Sequence, residues 1–348
     1  MRAWARGRRP AALLIGLALL LAACGGRGGA AGGSQASRGG QGQALRTVTL
    51  LLDWYPNVDH AWLYAAMDLG YFRQQGIQVK VEVPSQTTDP LKLVGSGRVD
   101  LGIGYPKDLL LARAQGIPVV SVAAVVQHPL NTVIALRSSG IRSLQDLRGK
   151  SIGTAGTPGD EAILETLADR LGVPRSQIRS VNVGFDLIPA LTTHRVDAIE
   201  GGYTTVEALQ LPRQGYPVTV FPIRELGVPD YYELVLLTNE ARLRRERPLL
   251  EAFWRAAQQG EAWVAEHPQQ AVDILARHAS GLDRGLALDG LKVLLPELRD
   301  PGQPYGRQTE AKWAELEKWM LQHRLLPKPV DVSAAFVDIA GEVAQKSR

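Results

Sequence analysis

Aromatic and acidic residues lie at the ends of several short apolar runs of the sequence. Trp54, Tyr105 and Tyr203 each end or follow such a run, and Asp53 and Glu207 lie close to them in the chain. Aromatic rings in such loops can stack on a flat ligand, and carboxylates accept hydrogen bonds from amino or ring N–H groups. An anionic ligand would instead need basic side chains or bare helix N-termini. These residues therefore predict a site for a heteroaromatic ligand, although each ring alone could equally serve ordinary core packing.

Three further features allow two interpretations each. The loop Gly156-Thr157-Pro158-Gly159-Asp160 either offers the N–H groups of Gly156 and Thr157 to a ligand or forms a tight turn with Asp160 as helix N-cap. His60 begins a helical pattern beside the predicted site, as a ligand contact or as a structural residue. Glu207 falls in the first turn of a helical pattern, where an acid can also merely offset the helix dipole.

The elements that carry these residues belong to an alternation of strands and helices in which one unit occurs twice. From Thr47 onward, short strand-like runs alternate with helical patterns. Arg-Val-Asp and a run ending in Tyr105 recur as Arg-Val-Asp and a run ending in Tyr203. Each Tyr is followed by a helical pattern and then by Gln-Gly-x-Pro-Val, at 115–119 and at 214–218. The repeat predicts two similar α/β lobes in tandem.

Places where strands and helices stop alternating predict how the lobes connect. Runs 119–126 and 132–136 follow each other without a helix between them, and a comparable run, 234–238, follows the second repeat. The chain then becomes largely helical, with patterns at 248–267, 270–278, 286–295, 309–322 and 333–345. Such a tail has no sheet of its own and must pack on one already formed.

The fold class predicted is α/β, bilobal and periplasmic-binding-protein-like of type II. Lobe one comprises 45–132 and 234–348, lobe two comprises 133–233, and a two-segment hinge joins them, with the helical C-terminal tail packing on lobe one. Ligands of α/β units bind at the carboxyl ends of the strands, so the strand ends of both lobes should face one cleft.

The N-terminal segment predicts export and lipid anchoring. Residues 1–23 combine a basic stretch with the apolar run Ala11–Leu21, as in a signal peptide. Leu21-Ala22-Ala23-Cys24 resembles the bacterial lipobox, in which the Cys is acylated; the alternative is a generic signal peptide with a chance Cys. Residues 24–44 are glycine-rich and are typical of a flexible tether. We expect a protein held at the extracytoplasmic face of the cell membrane by its lipid anchor.

Charge and spacing argue against several other functions. The chain carries 39 basic and 35 acidic residues, but seven arginines and no acid precede Thr47, so the remainder is slightly acidic. A part with that balance is a poor nucleic-acid binder. The six His are scattered and the only Cys is Cys24, so neither a metal site nor an internal disulfide is expected. We expect no cofactor, no catalytic residues and a monomer.

The sequence resembles the thiamine-pyrimidine-precursor family. The likeness covers roughly 47–239, through Asp53-Trp54-Tyr55-Pro56-Asn57-x-x-His60, Gly70-Tyr71-Phe72-x-x-x-Gly76 and Gly201-Gly202-Tyr203-x-x-x-Glu207. The family comprises solute-binding proteins of ABC importers for formylaminopyrimidine or hydroxymethylpyrimidine, together with fungal hydroxymethylpyrimidine synthases. The resemblance implies a pyrimidine held by aromatic stacking and by an acid matching Glu207, with the Trp54 loop as the other wall. It also implies permease and ATPase partners.

The same resemblance leaves alternatives of function and ligand. The synthases hold a cofactor-binding Lys, a sacrificial His and a cysteine cluster, whereas the matching loop positions here are Gly104 and Asp108 and the only Cys is Cys24. We therefore expect a binding protein and not an enzyme. A sensor or scavenging lipoprotein without a transporter is a further alternative. Riboflavin-binding proteins look similar, so a flavin is the competing ligand.

Overall fold

The computed structural model of the protein describes residues 44–346. Its strands are β1 Arg46–Leu51, β2 Ile77–Glu82, β3 Leu101–Gly104, β4 Val119–Val126, β5 Asn131–Leu136, β6 Ser151–Thr154, β7 Arg179–Asn182, β8 Ala198–Tyr203, β9 Val218–Pro222 and β10 Leu234–Asn239. Its α-helices are α1 Ala61–Asp68, α2 Tyr71–Gln74, α3 Asp89–Gly95, α4 Pro106–Ala114, α5 Asp160–Leu171, α6 Leu187–Thr192, α7 Glu207–Arg213, α8 Ile223–Leu226, α9 Glu240–Glu266, α10 Pro268–His278, α11 Arg284–Leu294, α12 Glu310–Gln322 and α13 Ile339–Lys346.

The strands form two five-stranded sheets of matching topology. The first has the order β2-β1-β3-β10-β4 and the second the order β7-β6-β8-β5-β9. In each sheet the first three strands pair in parallel, and the fourth runs antiparallel to both neighbours. We call the parts of the chain around these sheets the first and second lobes. The repeat seen in the sequence is thus a repeat of sheet topology, and the predicted bilobal α/β fold is confirmed.

Each sheet receives its antiparallel strand from a segment that crosses between the lobes. β4 ends in the first sheet, and residues 127–130 lead directly to β5 in the second. After β9 the chain passes through α8 and residues 227–233 back to β10 in the first sheet. Strands β4, β5 and β10 are buried along their whole length, which explains their nearly continuous apolar sequences.

Two tail helices, α9 and α13, begin six or more residues away from their predicted starts. Helix α9 begins at Glu240 because the Asn239 side chain accepts a hydrogen bond from the Arg242 amide, and a kink at Glu246 accommodates Pro248 inside the helix. The prediction of a helix from 333 was wrong at its start. Asp331 instead caps a short 3-10 turn at 332–334, and α13 begins at Ile339.

The tail does not pack on the first lobe alone. Helices α9 and α10 pack on α1 of the first lobe, as predicted. Helix α12, however, also reaches the second lobe, where the Trp319 indole N–H donates to the Thr166 hydroxyl of α5 at 3.1 Å. Trp319 and Met320 share an apolar cluster with Ile163 of α5. Helix α12 therefore packs against the second lobe as well as the first.

Most of the predictions that concern the membrane fall on residues outside 44–346. The signal peptide, Cys24 and all but the last residue of the tether lie outside the described residues. Within 44–346, no helix combines the length and the apolarity that a bilayer span requires.

Candidate ligand-binding site

A pocket with a cavity volume of about 40 Å³ lies between the two lobes, at the carboxyl ends of their strands. Asp53 and Trp54 enter it from the loop after β1, Tyr105 from the residue after β3, Thr157 from the loop after β6, and Tyr203 from the end of β8. Parallel strands end at the same edge of a sheet, so loops far apart in sequence converge there. In this closed arrangement the cavity has little more room than a water molecule occupies.

Six of the eight residues expected to bind ligand line this pocket. They are Asp53, Trp54, Tyr105, Thr157, Tyr203 and Glu207. His60 and Gly156 do not line it. The lining thus combines the aromatic and acidic side chains that the sequence indicated, and the ligand-binding role of each residue stays a prediction.

His60 is fully buried and positions Asp53. Its Nδ1 accepts a hydrogen bond from the Asn57 amide at 3.2 Å, so Nε2 carries the proton and donates it to Asp53 Oδ1 at 2.9 Å. The hydroxyl of Tyr105 donates to Asp53 Oδ2 at 3.2 Å. Both nitrogens of His60 are therefore engaged within the protein, which favours the structural interpretation of this residue.

The glycine loop uses its N–H groups internally. The amides of Gly156 and Thr157 donate to Asp160 Oδ2 at 2.8 and 3.0 Å, and the Thr157 hydroxyl donates to Asp160 Oδ1 at 2.6 Å. Asp160 is the first residue of α5, and Gly159 is its N-cap. Gly156 has a φ of +78°, and a Cβ there would lie 2.2 Å from the Asn182 side chain. In this conformation neither amide is free for a ligand; Gly156 shapes the loop.

Glu207 and Tyr203 are linked to each other and to the hinge. The Tyr203 amide donates to Glu207 Oε2 at 2.8 Å, and the Tyr203 hydroxyl donates to Glu233 Oε1 at 3.1 Å. Glu233 Oε2 in turn accepts the amides of Leu130 and Asn131 at 2.8 and 3.1 Å. Glu233 therefore joins the two crossing segments to each other at the wall of the pocket.

Sequence reasoning missed Glu233 and Asn131, and it assigned no ligand-binding role to Lys107, although Lys107 lies in the junction after the predicted strand 101–104. Lys107 is buried in the first turn of α4, and its Nζ donates to the Tyr231 hydroxyl at 2.9 Å. Asn57, Asn131 and Asp160 also line the pocket. Position after a strand was the available signal. Lys107 carries that signal, whereas Glu233 precedes a predicted strand.

The pocket is strongly acidic. Seven neighbouring carboxyl groups lie in its wall or just behind it, those of Asp53, Asp59, Asp108, Asp160, Glu200, Glu207 and Glu233. Burial, reinforced by neighbouring acids, raises the pKa of Asp59 and of Glu200 well above their usual values. Each of these two groups also has one buried oxygen without a hydrogen-bond partner among the described residues. Both observations favour their neutral, protonated form.

Direct contacts across the pocket join the lobes. Asp108 Oδ1 accepts the Gly159 amide at 2.5 Å, and the Thr87 hydroxyl donates to the Ala155 carbonyl at 3.0 Å. The Trp54 ring meets the Phe185 ring edge to face, with centroids 4.5 Å apart. These contacts define a closed arrangement of the two lobes. Within the described part of the chain, no group of three or more His, Cys, Asp or Glu side chains could hold a metal ion.

The fold is of the periplasmic-binding-protein-like class. The chain shares its periplasmic-binding-protein-like architecture with the alkanesulfonate-binding protein of Xanthomonas axonopodis pv. citri, solved bound to MOPS. That structure superposes with a TM-score of 0.67 at 18% identity, and the match covers 84% of this chain and 98% of the other. At that identity the likeness concerns the fold.

The family follows from sequence comparison. The model described as "NMT1/THI5 like" matches residues 57–271. The formylaminopyrimidine-binding protein of Halalkalibacterium halodurans is 38% identical over 301 residues, which cover 85% of this chain and 91% of that protein. The 4-amino-5-hydroxymethyl-2-methylpyrimidine phosphate synthase of Legionella pneumophila is 30% identical over 232 residues, 66% of this chain and 73% of the synthase. This chain belongs to the NMT1/THI5-like family, so the predicted resemblance is confirmed.

Proposed function

We propose that this protein is the solute-binding lipoprotein of an ABC importer and that it binds a thiamine pyrimidine precursor of the formylaminopyrimidine or hydroxymethylpyrimidine type. The observation that carries this proposal is the closed pocket lined by Trp54, Tyr105, Tyr203 and several carboxylates. The 38% identity to a protein named for binding formylaminopyrimidine supports the choice of ligand.

The chemistry of the pocket suits an aminopyrimidine. The ring offers a π face to the aromatic side chains, and its exocyclic amine offers N–H donors to Glu207 or Asp53. An anionic ligand such as a sulfonate would face Asp53, Asp160, Glu207 and Glu233 across the same space. Repulsion and desolvation of these carboxylates would oppose it.

Several observations favour binding over synthase chemistry. Gly104 occupies the position of the cofactor-binding Lys of the synthases, and a Cβ there would lie 2.7 Å from the Leu237 side chain. The nearby ammonium group of Lys107 already donates to Tyr231. Asp108 stands where the synthases have their sacrificial His, and its carboxylate is engaged by Gly159.

The proposal places the folded lobes outside the cytoplasmic membrane. Cys24 would carry the lipid anchor, residues 24–44 would form the tether, and the lobes would comprise 45–132 with 234–348 and 133–233. We further propose that the protein acts as a monomer and delivers its ligand to a permease with its ATPase. The basic, apolar and small-residue order before Cys24 supports the anchor.

Calorimetric titration of the purified protein with formylaminopyrimidine, hydroxymethylpyrimidine and riboflavin tests the ligand. We expect a pyrimidine to bind at least tenfold more tightly than riboflavin. Glu207→Gln should lower the affinity by about 30- to 150-fold. The substitution replaces one acceptor oxygen of Glu207 by an NH₂ donor that faces the exocyclic amine of the ligand, at a cost of about 2–3 kcal/mol.

Glu315→Gln is the matched control, since Glu315 is exposed on α12. It makes the same chemical change and should bind normally. Tighter binding of riboflavin would contradict the choice of ligand. A Glu207→Gln protein that binds like the parent but melts at lower temperature would mean that Glu207 only offsets the helix dipole.

A further inference from the structure

Many more acidic than basic side chains line the pocket. Its lining contains four carboxyl groups, those of Asp53, Asp160, Glu207 and Glu233, and one ammonium group, that of Lys107. His60 adds no positive charge, because its Nδ1 accepts the Asn57 amide. A ligand that enters this space either compensates the negative charge of the lining carboxylates or increases the free-energy cost of burying them.

Glu207 is the lining acid that the protein compensates least. Asp53 accepts from His60 and Tyr105, and Glu233 accepts from two backbone amides and the Tyr203 hydroxyl. Glu207 accepts backbone N–H groups alone, those of Tyr203 and of its own residue. Asp160 also accepts a side-chain hydroxyl, that of Thr157, whereas Glu207 accepts from no side chain in 44–346 and is therefore the lining acid most in need of a donor or a positive charge from the ligand.

The charged groups around Glu207 do not supply that compensation. Asp59 lies close enough for the two carboxylates to repel each other, and Glu200 lies on β8, against which α7 packs. Strand β9, on another side of α7, has no titratable residue. At the contact of α7 with α11, the charges pair with one another: Arg213 with Asp283 and Asp289, and Lys292 with Asp289.

We infer that the pocket binds its ligand as a protonated aminopyrimidine cation, so that one proton is taken up from solvent with each ligand bound. This inference rests on the proposed function, which supplies the aminopyrimidine. The exocyclic amine of an aminopyrimidine is conjugated with its ring nitrogens, so the ring accepts a proton as an amidine does. The proton turns a ring acceptor into a donor and gives the ligand a positive charge opposite the Glu207 carboxylate.

The closed arrangement favours retention of that proton in the complex. Burial raises the pKa of Glu207, and hence disfavours a bare carboxylate there. A protonated ring nitrogen that donates to Glu207 supplies the opposite charge that this buried carboxylate lacks in the free protein. Above the pKa values of the free ligand and the free site, this proton must come from solvent, and affinity must then fall as pH rises.

Calorimetric titration with formylaminopyrimidine at pH 8, in buffers of different ionisation enthalpy, measures the number of protons taken up. We expect about one proton per ligand and, between pH 7 and pH 9, a fall of affinity approaching tenfold per pH unit. Glu207→Gln should reduce the uptake to near zero and flatten the pH dependence, whereas the exposed control Glu315→Gln should keep both. Circular dichroism verifies that both variants are folded.

The outcomes separate the two proposals. Binding of formylaminopyrimidine with no proton uptake, at any pH from 7 to 9, overturns the inference and leaves the proposed function intact. Full uptake in a folded Glu207→Gln protein overturns the role given to Glu207. If no aminopyrimidine binds at all, the proposed function fails, and the inference that rests on it fails with it.

Discussion

Replacing Asp108 with asparagine should make the folded protein more stable relative to the parent as the pH rises. Asp108 is buried in the first turn of α4, and its Oδ1 accepts the Gly159 amide from the other lobe at 2.5 Å. Burial, followed by repulsion from Asp160, raises the pKa of Asp108 to about 7. Asparagine keeps an oxygen that can accept the same amide but cannot ionise.

The sign and size of the effect follow from this pKa. The folded protein holds the Asp108 proton more tightly than the unfolded chain does, where the pKa is near 3.8. The stability linked to this proton is therefore fully present below about pH 4 and is lost as the pH rises through about 7. At about 1.4 kcal/mol per pKa unit, the free energy of unfolding should shift by about 2–3 kcal/mol between pH 5 and pH 8, relative to the variant.

Urea unfolding, followed by circular dichroism at pH 5, 6, 7 and 8, measures this difference. The parent should lose stability relative to Asp108→Asn over this range, because acids that do not interact with Asp108 contribute equally to both proteins. Glu315→Gln serves as the exposed control and should stay parallel to the parent. A difference that does not vary with pH would mean that Asp108 is hydrated in the ligand-free protein, and would refute a contact between Asp108 and Gly159 in the absence of ligand.

Three further predictions concern the ligand, the anchor and the hinge. Trp54→Ala should lower ligand affinity by roughly 5- to 150-fold in calorimetric titration, through loss of a stacking wall worth about 1–3 kcal/mol; unchanged affinity would remove Trp54 from the site. Cys24→Ser should abolish fatty-acid labelling and release the protein from the membrane fraction, and continued labelling would contradict the lipoprotein proposal. Saturating ligand should make the molecule more compact in solution scattering, and an identical radius of gyration would argue against closure by a hinge.

Much of the fold could be predicted from the sequence because its signals are local. Strand-like and helical patterns alternate along the chain, and the motif around Tyr105 recurs around Tyr203. The residues after strands, among them Asp53 and Trp54, were candidates because parallel strands end at one edge of a sheet. The start of α13 was missed because the Asp331 side chain stabilises an earlier turn, and local pattern cannot rank two competing helix starts.

Only the tertiary structure decided which candidate groups are free to meet a ligand. His60 is adjacent to the site in sequence, yet its two nitrogens are used by Asn57 and Asp53, and the Gly156 amide is used by Asp160. Hydrogen bonding within the protein competes with hydrogen bonding to a ligand, and the outcome depends on distances that the sequence does not contain.

The acidity of the pocket is likewise a property of the folded chain. From its composition, the part after Thr47 is only slightly acidic, and its carboxylates are spread over the whole sequence. Folding brings Asp53, Asp160, Glu207 and Glu233 into one wall, next to a single ammonium group, and it buries all of them except Asp160, which is partly buried. Charges interact strongly only when they are close and poorly solvated, and those two conditions are set by the packing of the lobes rather than by the order of residues.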